Sequence, residues 1–346
     1  GCGIFISNDA GEHWLQNLTG LSTPLLSTLA VAHNGALFAG ALNGELFSSF
    51  DYGRTWEESM VPEEGKATVT FILPSPRFRQ DGTVFAATDG GGLLVSRASG
   101  KRWEDSSFGL GDANVLALAS APDWSRRETM FAATTEGVAI SVNGGRAWRQ
   151  TSLTLDEDIV DVLAVSPDFD QDHTVYAGTE NGGLYQSTDG GRTWELLQDA
   201  VGEGPLNCLW LAPDFAQSGR MVAGVGNRIY ASTNRGESWQ LAQEMPNSVL
   251  ALAGDSSMLL AGMHDAGIWK SLDGGFSWTN SSQGLDARGF ARLATHGDTM
   301  YVLGPQEGLW SSADQGATWK PLAGLAAHYP LTAFTRDDQG TLLVAS

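Results

Sequence analysis

Apolar and polar residues alternate along this chain in short bursts separated by turn-forming residues. Gly183-Leu184-Tyr185-Gln186-Ser187 and Gly308-Leu309-Trp310-Ser311-Ser312 are two of them. A period of two marks a strand with one face buried and the other wet. Four bursts follow one another at Ile159–Val165, Thr174–Thr179, Gly183–Ser187 and Thr193–Leu197. The same order recurs at Val115–Ser120, Thr129–Thr134, Val138–Ser141 and Ala147–Gln150. The pattern predicts groups of four short strands, repeated.

A motif paces the repetition. Ser-x-Asp-x-Gly-x-x-Trp occurs in full at Ser7-Asp9-Gly11-Trp14, Ser49-Asp51-Gly53-Trp56, Ser187-Asp189-Gly191-Trp194, Ser271-Asp273-Gly275-Trp278 and Ser312-Asp314-Gly316-Trp319. Asn replaces Asp in Ser141-Asn143-Gly145-Trp148 and Ser232-Asn234-Gly236-Trp239, and Ser96-Ala98-Gly100-Trp103 is a degraded copy. Successive Trp residues lie 39 to 47 positions apart. In seven of the eight copies an Asp or Asn side chain can accept from backbone amides a few residues on. The Gly takes a conformation that other residues resist. The Trp buries a large ring over the turn. These boxes are expected to be structural staples of a hairpin, not catalytic carboxylates.

Four strands per roughly 45 residues is one blade of a β-propeller. The chain stops at Thr341-Leu342-Leu343-Val344-Ala345-Ser346, which matches a second strand, and starts at Gly3-Ile4-Phe5-Ile6-Ser7, which matches a third. The expected fold is therefore all-β, a single eight-bladed β-propeller over residues 1–346 with four-stranded blades. Its last blade is formed by roughly residues 325–346 plus 1–18, so the N- and C-terminal strands close the ring and leave no open edge. Four repeats join first and second strands through Ser75-Pro76-Arg77-Phe78, Ala121-Pro122-Asp123-Trp124, Ser166-Pro167-Asp168-Phe169 and Ala212-Pro213-Asp214-Phe215. Pro should stop the strand there and the aromatic should pack between blades.

The boxes resemble those of the BNR, or Asp-box, repeat family of β-propellers, over the full length of the chain. That family includes sialidases, xyloglucan-cleaving glycosidases, sortilin-type receptors and photosystem II stability/assembly factors. The resemblance implies the fold without choosing among the activities, and it favours an extracytoplasmic or secreted location. The chain opens on neither Met nor a leader-like segment, so a processed or trimmed form is expected.

Composition narrows the partners. With 20 Lys+Arg against 40 Asp+Glu the formal net charge is −20, which argues against nucleic acid, whose binding needs basic residues to displace counterions. No run of about 18 apolar residues is available to span a membrane. Cys2 and Cys208, the only cysteines, fall in separate repeats and are expected to be free, buried thiols. Loops between blades and between second and third strands are acidic: Glu63, Glu64, Asp112, Asp156, Glu157, Asp158, Asp199, Glu203, Glu244, Asp286, Glu45, Asp89, Glu136, Glu180, Asp265 and Glu307 stand against Lys66, Arg228 and Arg288. A face of one sign favours cationic partners; the alternative is that an acidic protein carries acids on every loop. The candidate ligand face is Asp156, Glu157, Asp158, Asp161, Asn207, Glu180 and Asp265.

Catalytic sets are sparse. Sialidase chemistry needs an arginine triad, a Tyr nucleophile and an Arg-Ile-Pro motif, and the motif does not occur. A glycosidase needs two carboxylates about 5 to 10 Å apart. Thr70, Leu116, Asp161 and Asn207 align at one strand position, and only Asp161 is acidic; Asp158, Glu157 or an acid of a neighbouring blade can pair with it. Asp168, Asp170 and Asp172 have a spacing able to surround Ca²⁺ but lack the following Gly and distal Glu, so a solvated loop and no cofactor are expected. The six His residues show no zinc-like spacing. The expected role is a non-enzymatic binding or assembly scaffold for a protein or peptide, a basic one suiting the acidic loops, with a glycan-active propeller using Asp161 as the alternative.

Overall fold

The computed structural model describes residues 4–9, 13–32, 34–122, 124, 128–155, 158–197, 201, 204–255, 257–285, 292–296, 299–304, 308–322, 331–336 and 340–345. They form eight four-stranded antiparallel sheets, and the chain is an eight-bladed β-propeller. It divides into two compact units, Gly1–Gln150 with Ala323–Ser346, and Thr151–Leu322.

The first unit holds the closing blade, blades 1 and 2 and blade 3 up to Gln150, within its fourth strand. The closing blade orders its strands Leu15–Asn17, Ile4–Ser7, Leu342–Ala345 and Ala333–Arg336, so both chain ends share one sheet. Ile4 pairs with Ala345 and Ser7 with Leu342. Blade 1 comprises Leu26–Val31, Leu37–Ala41, Leu46–Ser49 and Glu57–Glu58; blade 2, Val69–Pro74, Val84–Thr88, Leu93–Ser96 and Glu104–Asp105; blade 3, Val115–Ser120, Met130–Thr134, Gly137–Ser141 and Arg149–Thr154. The second unit holds blades 4 to 7, whose first strands are Val160–Val165, Leu206–Leu211, Val249–Gly254 and Arg292–His296. Blade 4 continues with Val175–Thr179, Leu184–Ser187 and Glu195–Leu196, each within two residues of the strand read from the alternation.

Second strands are buried almost end to end, as at Leu37–Ala41, Val84–Thr88, Val175–Thr179 and Met221–Val225. A strand covered on both faces by sheets needs apolar or small residues at every position, which is why these read Val-Phe-Ala-Ala-Thr rather than alternating. Burying such strands between sheets supplies most of the core.

The boxes form the turn between third and fourth strands. In blade 4 the Ser187 hydroxyl donates to Asp189 Oδ1 (2.9 Å) and accepts from the Gly191 amide (2.8 Å). The same carboxylate accepts from the Thr193 amide (3.0 Å) and hydroxyl (2.7 Å). Asn143 and Asn234 accept the equivalent amides of Ala147 and Ser238, both at 3.0 Å. In the degraded copy, which has no carboxylate, the Ser96 hydroxyl accepts from the Ala98 and Gly100 amides. The box also fastens blade to blade. Ser59, Ser106 and Ser281, at or just beyond a fourth strand, donate to the box glycine carbonyls Gly100, Gly145 and Gly316 of the following blade. The box Trp amides of Trp56, Trp103, Trp148 and Trp319 donate back to Thr19, Met60, Phe108 and Gln283 of the preceding blade.

These hydrogen bonds set the acid response. Partial burial would raise the Asp189 carboxyl, but Thr193 and Ser187 outweigh it and hold the pKa at about 2. Thr318 holds Asp314 at about 2, and His13 does the same for Asp9. A depressed folded-state pKa stabilises above the unfolded value and is lost as pH falls through the folded one. Melting temperature should therefore fall between about pH 4 and pH 2, and Asp189→Asn should flatten part of that slope. A variant profile with the full wild-type slope would refute the assignment.

The Pro-containing connections are not plain loops. Phe78–Asp81, Phe169–Asp172 and Phe215–Ser218 are single helical turns, each closed by a left-handed residue, Gly82, His173 or Gly219. Composition hides so short a helix, whose signal is only the closing residue. The aromatics pack between blades: Phe78 meets Phe38 edge-on at 5.3 Å, Trp124 meets Phe85 at 6.0 Å and Phe215 meets Tyr176 at 6.0 Å. Cys208 is free and burial pushes its thiol up to about 12; Cys2 lies outside the described residues. Among the described residues no helix is long and apolar enough to cross a membrane.

Candidate ligand-binding face

Each blade has two ends. In blade 4, Val160 pairs with Thr179 and Val175 with Ser187. The loop entering the first strand therefore shares an end with the turn between second and third strands, while the box lies at the other end. The loop ends carry the acids read from the sequence.

A β-bulge shapes that end in six blades. Registers shift between Leu26 and Thr28, Val69 and Phe71, Val115 and Ala117, Val160 and Val162, Leu206 and Cys208, and Val249 and Ala251. The extra residue is Ser27, Thr70, Leu116, Asp161, Asn207 or Leu250, and a bulge re-aims its side chain. Thr70, Leu116, Asp161 and Asn207 are thus equivalent because each is the bulge residue. Thr70, Leu116 and Asp161 are exposed and Asn207 is half-buried.

Blade 4 brings three acids into one electrostatic group. Partial burial, then the carboxylates of Glu180 and Asp158, raise the Asp161 pKa. Asp158 also has a local duty: its Oδ1 accepts from the Ile159 (2.9 Å) and Asn181 (3.1 Å) amides, tying the entering loop to the next turn. Burial and Asp158 raise the Tyr185 hydroxyl beside them. Asp112 does the equivalent work in blade 3, accepting from Asn114 and Thr135 amides, both at 3.0 Å. Partial burial opposes these bonds without winning, so the Asp112 carboxyl sits below its ordinary range. Asp265 stands at the corresponding turn of blade 6, in a left-handed conformation (φ 57°) with its carboxylate 3.4 Å from His264 Nδ1. Asp156 and Glu157 lie outside the described residues.

Cations at these loops are already engaged. Lys66 binds Glu63 at 2.7 Å and Arg228 binds Glu244 at 3.2 Å; Arg288 lies outside the described residues. No Lys or Arg pairs with Asp158, Asp161 or Glu180 among the described residues. Sequence reading missed these internal pairings, although a Glu three positions before Lys66 was a visible signal.

The Ca²⁺ candidates part company. Asp172 accepts from the Ser166 hydroxyl (2.8 Å) and the Thr174 amide (3.0 Å), and Asp170 accepts from Gln171. Asp168 precedes the helical turn. Among the described residues no three His, Cys, Asp or Glu side chains are grouped to hold a metal.

No family model matches the chain, and no curated protein matches it. Solved structures do. Sqt1 from Saccharomyces cerevisiae is 15% identical with a TM-score of 0.74, covering 93% of this chain and 95% of that one. The GH74 xyloglucanase from Xanthomonas campestris is 14% identical with a TM-score of 0.59, covering 94% of this chain and 65% of that one. YCF48 bound to a D1 peptide is 16% identical with a TM-score of 0.54, covering 95% of each chain. Identities this low show a shared fold alone.

Proposed function

We propose that this chain is a non-enzymatic binding module of the Asp-box propeller type, taking a basic peptide or protein segment on its acidic loop ends. The carrying observation is the Asp158–Asp161–Glu180 group of blade 4, with which no Lys or Arg pairs among the described residues; partial burial and then the Glu180 and Asp158 charges raise Asp161, and an incoming cation would offset those charges. Loops fixed by rigid blades are where recognition usually resides. A propeller of this fold, YCF48, holds a peptide, which supports the reading by analogy.

The test compares basic and acidic peptides by surface plasmon resonance across salt. Basic peptides should bind, association should slow as exposed charges are screened beyond about 8–10 Å, and Asp161→Asn with Glu180→Gln should weaken binding a few-fold. Asp189→Asn, at the box end, should leave binding unchanged. Preference for acidic peptides, or loss only with the box variant, would reverse the choice of face.

One observation favours a second reading. A carboxyl raised by partial burial and then by neighbouring carboxylates, as Asp161 is, is the arrangement a glycosidase uses for its proton donor, and a neighbour in fold is a xyloglucanase. Turnover of β-glucans that disappears in Asp161→Asn would make the protein an enzyme.

A further inference from the structure

Between blades 1 and 2 the loop end hollows into a recess of about 380 Å³ lined by Glu45, Glu58, Ser59, Met60, Val61 and Lys66. Ligand pockets start at about 300 Å³, so this one suits a single long side chain better than a whole small molecule. Its walls are of two kinds. Val61 packs partly on the core, and Met60 stands 74% exposed. Glu45, held by the Ser22 hydroxyl at 2.8 Å, and Glu58 supply carboxylates. A methylene stem against the apolar wall with a charged head among carboxylates is how Lys and Arg side chains prefer to sit.

A cation already sits there. The Lys66 ammonium lies 2.7 Å from Glu63, and that bond, followed by the charges of Glu45 and Glu58, raises its pKa. Beside the recess the surface turns apolar. Leu25 and Leu42 are 45% and 50% exposed and are joined by the Leu42 amide to the Leu25 carbonyl (3.0 Å). Thr68 donates to the Leu42 carbonyl at 2.9 Å, and Gly44 packs on Lys66 and Ala67, so the leucines and the recess form one surface.

We propose that this recess seats a lysine or arginine side chain of a peptide partner, with an adjacent apolar residue covering Leu25 and Leu42, and that Lys66 is its resident competitor. The proposal deepens the binding reading above and rests on it. Charge complementarity selects the occupant: a chain of net charge −20 offers carboxylates and greasy side chains here with a single, already paired, lysine.

The probe is a short labelled peptide alternating arginine and leucine, with a companion in which citrulline, the neutral isostere, replaces arginine. Fluorescence anisotropy should show the arginine peptide binding about tenfold tighter than its companion. Glu45→Gln with Glu58→Gln should remove that difference. Lys66→Met should tighten the arginine peptide about three- to fivefold by removing the positive charge that Glu45 and Glu58 already attract. Because exposed ion pairs add little stability, the variants should keep the wild-type melting temperature, which circular dichroism checks. Unchanged or weaker binding by Lys66→Met overturns the proposal. So does a larger loss from Asp161→Asn with Glu180→Gln than from the Glu45/Glu58 pair, although the acidic-face reading then stands. Absence of binding by the arginine peptide at low salt overturns both.

Discussion

Replacing Gly109 by alanine should destabilise the protein by about 3 kcal/mol or more. Gly109 follows the fourth strand of blade 2 with φ 81°, and a Cβ there would lie 2.2 Å from the carbonyl oxygen of the box Trp148. The left-handed conformation costs a side-chain-bearing residue about 1–2 kcal/mol, and forced overlap with backbone adds about 1–3 kcal/mol. Gly20 and Gly284 meet Trp56 and Trp319 in the same way, at 1.7 and 2.2 Å, so the effect belongs to the seam and not to one site. The control is Gly226→Ala, where φ is 52° and nothing lies within 4 Å of the added carbon. It should cost about 1 kcal/mol. Urea midpoints at constant slope measure both, and equal costs would show that the Trp carbonyl contact is unimportant.

Removing Thr341–Ser346 should abolish the folded monomer. Leu342, Leu343, Val344 and Ala345 are each 0% exposed, and their strand pairs with Ile4–Ser7 on one side and Ala333–Arg336 on the other. Without it both neighbours present open edges, which invite pairing with other chains. Size-exclusion chromatography and circular dichroism should find aggregate. A folded monomer melting like the full chain would disprove the closure's importance. Leu343→Ala, a milder change in the core shared with Ile4, Ile6 and Leu37, should cost about 2–5 kcal/mol.

Much of the blade plan was legible because it is written locally. A box of eight residues carries its own hydrogen bonds, and Ser187, Asp189 and Gly191 satisfy one another without help from afar. Fastening between blades was not legible, since Ser59 and Gly100 lie 41 positions apart and an isolated serine gives no sign of what it will reach. At the loop ends the acids could be counted but their commitments could not. That Asp158 staples its own loop while Asp161 sits on a bulge depends on backbone register, which alternation alone leaves open by one residue. The recess at Met60 was invisible too, because it joins Glu45 to the segment that follows the fourth strand of the same blade.

The sharing of one sheet by both chain ends bears on how the protein is made. Ile4–Ser7 cannot find its inner neighbour, Leu342–Ala345, until the roughly 335 residues between them have been made. At about 5–20 residues per second that first hairpin waits about 20–70 s, with Leu15–Asn17 as its only strand partner inside the sheet. Over that interval Ile4 and Ile6, destined for the core, are a liability that a chaperone must cover or the nascent chain must tolerate.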